Sequence, residues 1–128
     1  MTRRRLLAAT AVLAVAVHLV ALYLPSAPEA GVGPPGLDKV AHVLLFAVPV
    51  WLIGALTGRV WLVAAVFAGH AVVSELVQHW FLPHRDGDPF DLLADLVGIA
   101  AAVALLATRR DPAGPPEALR HPPDAPSR

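Results

Sequence analysis

Four long apolar windows dominate the chain, and each is long enough to form a helix that crosses a membrane. The windows are residues 6–24, 40–57, 60–82 and 90–107. Each holds 18 to 23 residues, and about 20 apolar residues in an α-helix span a hydrocarbon layer of roughly 30 Å. Only three charged residues lie inside them, Glu75, Asp91 and Asp95. The pattern predicts an all-α, integral membrane four-helix antiparallel bundle at 1–108.

Proline positions support the same division of the chain, because proline cannot continue a helix and collects in loops. Twelve of the 13 prolines lie outside the windows. The exception is Pro49, in the second window. Its missing N–H leaves the carbonyl of Leu45 without the usual helical donor.

Composition narrows the classes of function. Hydrophobic residues make up 56% of the chain, its formal net charge is zero and it has no cysteine. The chain has no overall basic balance, and no zinc-finger spacing, phosphate-binding glycine loop or aromatic-basic pattern is present, so we expect no nucleic-acid partner. Without cysteine there is neither a disulfide framework nor thiol chemistry. We predict no cofactor and no metal ion, and the lipid bilayer as the main partner.

Lysine and arginine positions predict the orientation, because short cytoplasmic loops of membrane proteins carry an excess of these residues. One side of the predicted bundle carries Arg3, Arg4, Arg5, Arg59, Arg109 and Arg110, and the other carries Lys39 and Arg85. Both termini are therefore predicted to be cytoplasmic, with loops 25–39 and 83–89 outside. A multi-pass protein of the bacterial cytoplasmic membrane fits this pattern.

The two ends of the chain allow further predictions. The first window follows three arginines, as in a signal peptide, but its 19 residues exceed the roughly 7–15 of a signal core, so we expect it to stay attached. Residues 109–128 include six prolines and few apolar positions. This composition predicts a disordered cytoplasmic tail.

Polar residues collect at the ends of the windows that are predicted to lie outside. They are Asp38, Lys39, His42, Ser74, Glu75, Gln78, His79, His84, Arg85, Asp86, Asp88, Asp91 and Asp95. Residues three or four apart share a helix face, so three polar faces are expected to meet: Asp38 with His42, Glu75 with Gln78 and His79, and Asp91 with Asp95.

Each of these residues also has a structural interpretation. Asp38 and Asp88 are suited to cap the helices that follow them. Glu75 and Asp95 lie deeper, where a carboxylate costs on the order of 2.5–3.5 kcal/mol when it faces lipid. We expect both to point inward and to be paired, at the least as polar contacts between helices.

Two other features receive a mainly structural interpretation. Ala94, Gly98 and Ala102 form a stripe of small residues, which predicts close helix packing. His18 and His70 stand alone on apolar windows and are expected to be satisfied interior histidines.

The order and spacing of the polar residues resemble those of the VanZ-like family of bacterial membrane proteins. The matching pieces are Asp38-Lys39-x-x-His42-x-x-x-Phe46, Glu75-x-x-Gln78, Pro83-x-Arg85-x-x-Asp88-x-x-Asp91 and Gly98. The resemblance implies a multi-span inner-membrane protein, with some relatives associated with low-level teicoplanin resistance and no settled chemical activity. Asp95 stands where the family commonly has asparagine, and Ala102 where it often has glycine.

Three hypotheses for function follow. In the first, the site binds an anionic lipid or a lipid-linked envelope component. Lys39 and Arg85 would hold phosphate while Glu75, Asp91 and Asp95 set their geometry. The predicted ligand-binding residues are Asp38, Lys39, Gln78, Arg85, Asp88 and Asp95.

In the second hypothesis, the protein is a hydrolase or transferase acting on such a lipid, with His42 as general acid or base and Glu75 or Asp91 as its partner. A metal-dependent version could draw on Glu75, His79 and Asp91, but no closed ligand spacing supports it. In the third, the polar cluster only locks the helices together, and the protein acts by interacting with other proteins. The oligomeric state stays open.

Overall fold

The computed structural model describes residues 2–24, 34, 36–82 and 88–109, which form four helices and short flanking segments. The helices are α1 (Arg3–Tyr23), α2 (Leu37–Thr57), α3 (Val60–Phe81) and α4 (Pro89–Thr108). Each is long and apolar enough to cross a membrane. The predicted all-α class is confirmed. Apart from Arg109, the predicted tail lies outside the described residues.

The start of α4 follows its sequence signals, whereas the start of α2 does not. Asp88 caps α4, since its carboxylate accepts a hydrogen bond of 2.8 Å from the backbone N–H of Phe90, and Pro89 is the first helical residue. The cap residue of α2 is Gly36, whose φ of 83° is left-handed. Asp38 therefore lies inside the first turn of α2, and the expectation that it caps this helix was wrong.

The described connection between α2 and α3 consists of Gly58 and Arg59. Gly58 adopts a left-handed φ of 71°, and its N–H donates to the carbonyl of Gly54 at 2.9 Å. Left-handed backbone is the usual way to end a helix at glycine. Because this link is so short, α3 lies directly beside α2.

Contacts between helix ends show that the four helices alternate in direction. The starts of α2 and α4 meet where Lys39 pairs with Asp91. The ends of α3 and α1 meet where the amide of Gln78 donates to the carbonyl of Leu22. One end of the bundle therefore gathers the starts of α2 and α4 with the ends of α1 and α3.

The closest approach between helices is that of α2 and α4. A Cβ built on Gly98 would overlap the carbonyl oxygen of Val43 and lie 3.1 Å from its Cα. Ala94 and Ala102, one turn to either side, are buried. The predicted role of this small-residue stripe in close packing is confirmed. α2 also contacts α1 and α3, whereas α1 does not touch α4 within the described residues.

The core is small, and the outer helix faces are apolar. Buried residues around Phe46, Val50 and Ala71 form one hydrophobic cluster. Large apolar side chains such as Val12, Trp61 and Leu105 are exposed. Water would penalise so much exposed apolar surface, and lipid would not.

Candidate functional site

Six ionisable side chains lie together at the end of the bundle where α2 and α4 begin. This end cluster comprises Lys39, His42, Glu75, Asp88, Asp91 and Asp95. It draws on α2, on α3 and on α4 with its cap residue. The predicted meeting of three polar helix faces is therefore confirmed for these residues.

Lys39 lies at the more exposed part of the end cluster among three carboxylates. Its Nζ atom is 2.6 Å from Asp88, 2.5 Å from Asp91 and 3.1 Å from Asp38. The hydrogen bond from Lys39 lowers the pKa of the Asp88 carboxyl below its ordinary value, so Asp88 is ionised at neutral pH. The ammonium group thus ties the start of α2 to the start of α4.

His42 lies one turn deeper and pairs with the buried Asp95. Its Nδ1 is 2.8 Å from Oδ1 of Asp95, whose side chain has 0% exposure. When Asp95 is ionised its carboxylate can only accept, so Nδ1–H of His42 then donates to it and Nε2 is left without a proton in the neutral ring. Nε2 lies 3.9 Å from Asp91. The carboxylate that holds the imidazole is therefore Asp95, rather than the predicted Glu75 or Asp91.

Glu75 connects α3 to the start of α4. Its Oε2 accepts a 3.0 Å hydrogen bond from the backbone N–H of Asp88. Oε1 of Glu75 and Oδ2 of Asp95 are both buried, and neither has a hydrogen-bond partner among the described residues. Both carboxylates point inward as expected, but each is paired through only one oxygen.

A subset of the end cluster has the donor atoms that a metal ion would need. His42, Glu75 and Asp95 each offer one such atom, and these atoms lie within 4.8 Å of one another. His79, which the sequence suggested as a ligand, is exposed in the last turn of α3, with its ring centroid 6.3 Å from that of Trp80.

Two further predicted site residues, Asp38 and Gln78, are described but do not belong to the six residues of the end cluster. Asp38 is at the rim, with 62% of its side chain exposed, and contacts only Lys39 among the ion pairs described. Gln78 is buried and binds the carbonyl of Leu22, so it joins α3 to α1. Arg85, His84 and Asp86 lie outside the described residues.

A second polar group, which the sequence interpretation treated as separate histidines, lies among α1, α2 and α3. His18 Nδ1 is 2.9 Å from the Leu45 carbonyl, His18 Nε2 is 3.2 Å from His70 Nδ1, and His70 Nε2 is 3.1 Å from the Tyr23 hydroxyl. We call His18, His70 and Tyr23 the histidine chain. The expectation that both histidines are satisfied is confirmed, but they satisfy each other.

The end of the histidine chain fixes its direction. The Leu45 carbonyl can only accept, so Nδ1 of His18 must carry a proton and donate. In the neutral chain, His70 Nδ1–H then donates to His18 and the Tyr23 hydroxyl donates to His70. Leu45 is the residue whose carbonyl Pro49 leaves without a helical donor. The position of Pro49 in the sequence identifies that carbonyl. A buried hydrogen-bond donor is then required for it, and this requirement is the signal that could have identified His18.

We expect His18 and Pro49 to be energetically coupled. His18→Leu should lower the free energy of unfolding by about 1–3 kcal/mol because it leaves buried polar groups without hydrogen-bond partners. In a Pro49→Ala background the helix regains an N–H for the Leu45 carbonyl, so the same replacement should cost about 1 kcal/mol less. Unfolding of the four variants in detergent measures this difference. His79→Leu, at an exposed histidine, should show no coupling to Pro49, and equal costs for His18→Leu in both backgrounds would refute the link.

Comparisons with known proteins provide no relative for this chain. No family model matches the sequence, and neither a curated protein nor a solved structure matches it. The resemblance to the VanZ-like family thus depends on its motif residues alone. Five of those residues, Lys39, His42, Glu75, Asp88 and Asp91, are the ones that the end cluster brings together.

Proposed function

We propose that the chain is a four-pass protein of the bacterial cytoplasmic membrane, with both termini in the cytoplasm and the end cluster on the outer side. The apolar outer faces of the helices and the distribution of lysine and arginine support this orientation. Arg3 and Arg59 then lie on the cytoplasmic side, opposite Lys39.

The absence of native cysteine permits a direct test of orientation. Single cysteines at Ala27, Gly87 and Ala113 are probed on intact cells with a membrane-impermeant thiol reagent. Ala27→Cys and Gly87→Cys should label, and Ala113→Cys should label only after the cells are opened. Labelling of Ala113→Cys on intact cells would reverse the proposed orientation.

We further propose that the protein is VanZ-like and binds the headgroup of an anionic lipid or lipid-linked envelope component at the end cluster, thereby affecting teicoplanin susceptibility. The observation that carries this proposal is that side-chain exposure decreases from the rim of the end cluster to its buried floor. The side chain of Lys39 is 32% exposed, that of Asp91 18% and that of Asp95 0%. A polar group entering from the end of the bundle would meet charged side chains at headgroup depth.

The charge balance around Lys39 supports different roles for Lys39 and Arg85 in this proposal. The ammonium of Lys39 is already surrounded by Asp38, Asp88 and Asp91. Most of its charge is thus neutralised locally, and its main effect is to hold α2 and α4. Arg85 then contributes the principal phosphate contact, because its guanidinium can donate two parallel hydrogen bonds to one phosphate.

Arg85→Gln should therefore weaken binding of an anionic lipid. We expect about a tenfold loss of affinity for phosphatidylglycerol, the effect of losing about 1.4 kcal/mol from a charge-assisted hydrogen bond. Native mass spectrometry of the purified full chain measures this, with phosphatidylcholine as the reference lipid. In cells, the same variant should abolish an effect on teicoplanin susceptibility at unchanged expression.

Arg59→Gln is the matched control, since it removes an exposed arginine at the opposite end of the bundle. It should leave phosphatidylglycerol binding unchanged. Equal loss in both arginine variants would indicate general attraction of charge rather than a site. No loss in Arg85→Gln would refute the assignment of Arg85.

The pairing of His42 with Asp95 supports a second candidate function, a hydrolase or transferase acting on the bound headgroup. A buried carboxylate that holds one imidazole nitrogen orients the ring and fixes its tautomer. Nε2 of His42 is then the atom that would accept or deliver a proton. Under this proposal His42→Gln abolishes turnover of a lipid substrate while phosphatidylglycerol still binds; turnover that survives the change would exclude this role.

A further inference from the structure

We infer that His42, Glu75 and Asp95 form a binding site for a divalent transition-metal ion, such as Zn²⁺ or Mn²⁺, at the buried floor of the end cluster. One donor atom from each residue lies within 4.8 Å of the other two. The three residues belong to three different helices, α2, α3 and α4. A bound ion would therefore join these helices at one point.

The unpartnered carboxylate oxygens provide the second, independent observation. Glu75 is 8% exposed and Asp95 is 0% exposed. Oε1 of Glu75 and Oδ2 of Asp95 have no hydrogen-bond partner among the described residues. A buried polar atom without a partner costs free energy, and the cost is greater for a charged group. Two such oxygens near one imidazole are what a cation would satisfy.

The charge of the surroundings also favours a cation. Five carboxyl groups, those of Asp38, Glu75, Asp88, Asp91 and Asp95, lie in or beside the end cluster, and Lys39 is the one lysine or arginine that pairs with them among the described residues. A divalent ion adds the missing positive charge at the deepest point. It would also let an acidic site hold an anionic headgroup, although the metal proposal does not depend on that headgroup.

The donor atoms indicate the type of ion. Imidazole nitrogen suits Zn²⁺, Fe²⁺ and similar ions, while carboxylate oxygen suits Mn²⁺ and Mg²⁺ as well. One histidine with two carboxylates therefore favours Zn²⁺ or Mn²⁺ over Mg²⁺. Two ligands at about 2.1 Å from a tetrahedral ion lie about 3.4 Å apart, so donor atoms that are now up to 4.8 Å apart would close by about 1.4 Å at most around it.

A hydrogen bond already fixes one of the proposed ligands. The Glu75 carboxylate accepts from the backbone of Asp88 through Oε2, which leaves Oε1 available. The Asp95 carboxylate lies 2.8 Å from Nδ1 of His42, so an ion bound at Nδ1 would replace the proton between them and would be within reach of the same carboxylate. Ligands that are oriented by further hydrogen bonds are characteristic of metal sites.

The test uses the full chain, purified in detergent and stripped with a chelator. Zn²⁺, Mn²⁺ and Mg²⁺ are titrated separately by isothermal calorimetry, and metal content is measured after dialysis. We expect one Zn²⁺ or Mn²⁺ ion per chain and binding of Mg²⁺ at least about tenfold weaker, following the preference of imidazole.

Glu75→Gln and Asp95→Asn are the informative variants. Each keeps a side-chain oxygen that can accept the present hydrogen bond, from the Asp88 N–H or from His42, and each removes a negative charge. Zn²⁺ or Mn²⁺ affinity should fall at least about tenfold in each, since losing even a group that only hydrogen-bonds to a metal ligand costs about 10–100-fold. His79→Asn, at an exposed histidine near the same end, should leave affinity unchanged.

Two results would overturn the inference. One is the absence of stoichiometric Zn²⁺ or Mn²⁺ binding by the parent chain, in which case a proton on Glu75 or Asp95 would satisfy the buried oxygens. The other is binding that neither variant weakens, or that His79→Asn weakens equally. Arg85→Gln distinguishes this from the headgroup proposal, because it should reduce lipid binding and leave metal affinity intact.

Discussion

Gly98→Ala should destabilise the bundle by about 3 kcal/mol or more, one of the two largest effects that we expect from a single substitution. The added methyl group would overlap the carbonyl oxygen of Val43 and come within 3.1 Å of the Val43 Cα atom. Both obstacles are backbone atoms, so no side-chain rotation relieves the overlap. α2 and α4 would have to separate, and this would also pull His42 from Asp95. Unfolding of the purified protein in a denaturing detergent measures the loss.

Two other glycines provide matched controls. Gly69→Ala, in α3, meets no atom within 4 Å and should be neutral or stabilising by up to about 1 kcal/mol, because alanine favours helix more than glycine does. Gly54→Ala would meet the end of the Leu106 side chain at 2.7 Å, which can rotate away. The loss of stability in Gly54→Ala should therefore lie between the effects of Gly69→Ala and Gly98→Ala. If Gly98→Ala were as mild as Gly69→Ala, the close approach of α2 and α4 would be wrong.

The helices were predictable because hydropathy and helix length are local properties of the chain. The four windows match α1 to α4, with differences of up to three residues at the ends. The largest differences are at α1 and α2, which begin at Arg3 and Leu37. Arginine and lysine are good helix formers but lower the hydropathy of a window, so the windows omit charged residues that are nevertheless helical.

The membership of the end cluster was also largely predictable, but its pairing was not. Spacings of three and four place Asp91 and Asp95 on one face of α4, and the caps and motif spacing indicate which end is polar. Which carboxylate meets His42 depends on how far α4 is shifted along α2. That shift is fixed where Gly98 meets Val43, the residue after His42, and no local pattern reveals it.

The histidine chain was missed because its members are far apart in sequence. His18 and His70 each stand alone among apolar residues, and Tyr23 is the last residue of α1. Their partnership depends on α1 packing against α2 and α3 at a particular depth. Pro49 provides the one local signal, since its position identifies the carbonyl that lacks a helical donor and that His18 binds.

His42→Leu should cost about 3 kcal/mol, the other large effect. It leaves Asp95, at 0% exposure, with no partner among the described residues for either carboxylate oxygen. Interhelical hydrogen bonds in membrane proteins contribute about 0.6 kcal/mol on average, so the greater part of the loss would come from the stranded carboxylate. The measurement is detergent unfolding with a chelator present, so that any bound metal does not contribute.

The double replacement His42→Leu with Asp95→Leu separates two explanations of the pair. Since it removes both the buried charge and its partner, it should recover most of the stability lost in His42→Leu. If stability returns and Zn²⁺ or Mn²⁺ binds as it does to the parent chain, the pair serves only to lock α2 to α4. If stability returns while metal binding stays lost, the pair is retained for function at a cost in stability. We expect the second result, because a pair that served only as a lock would gain nothing from an unpartnered, fully buried oxygen on Asp95.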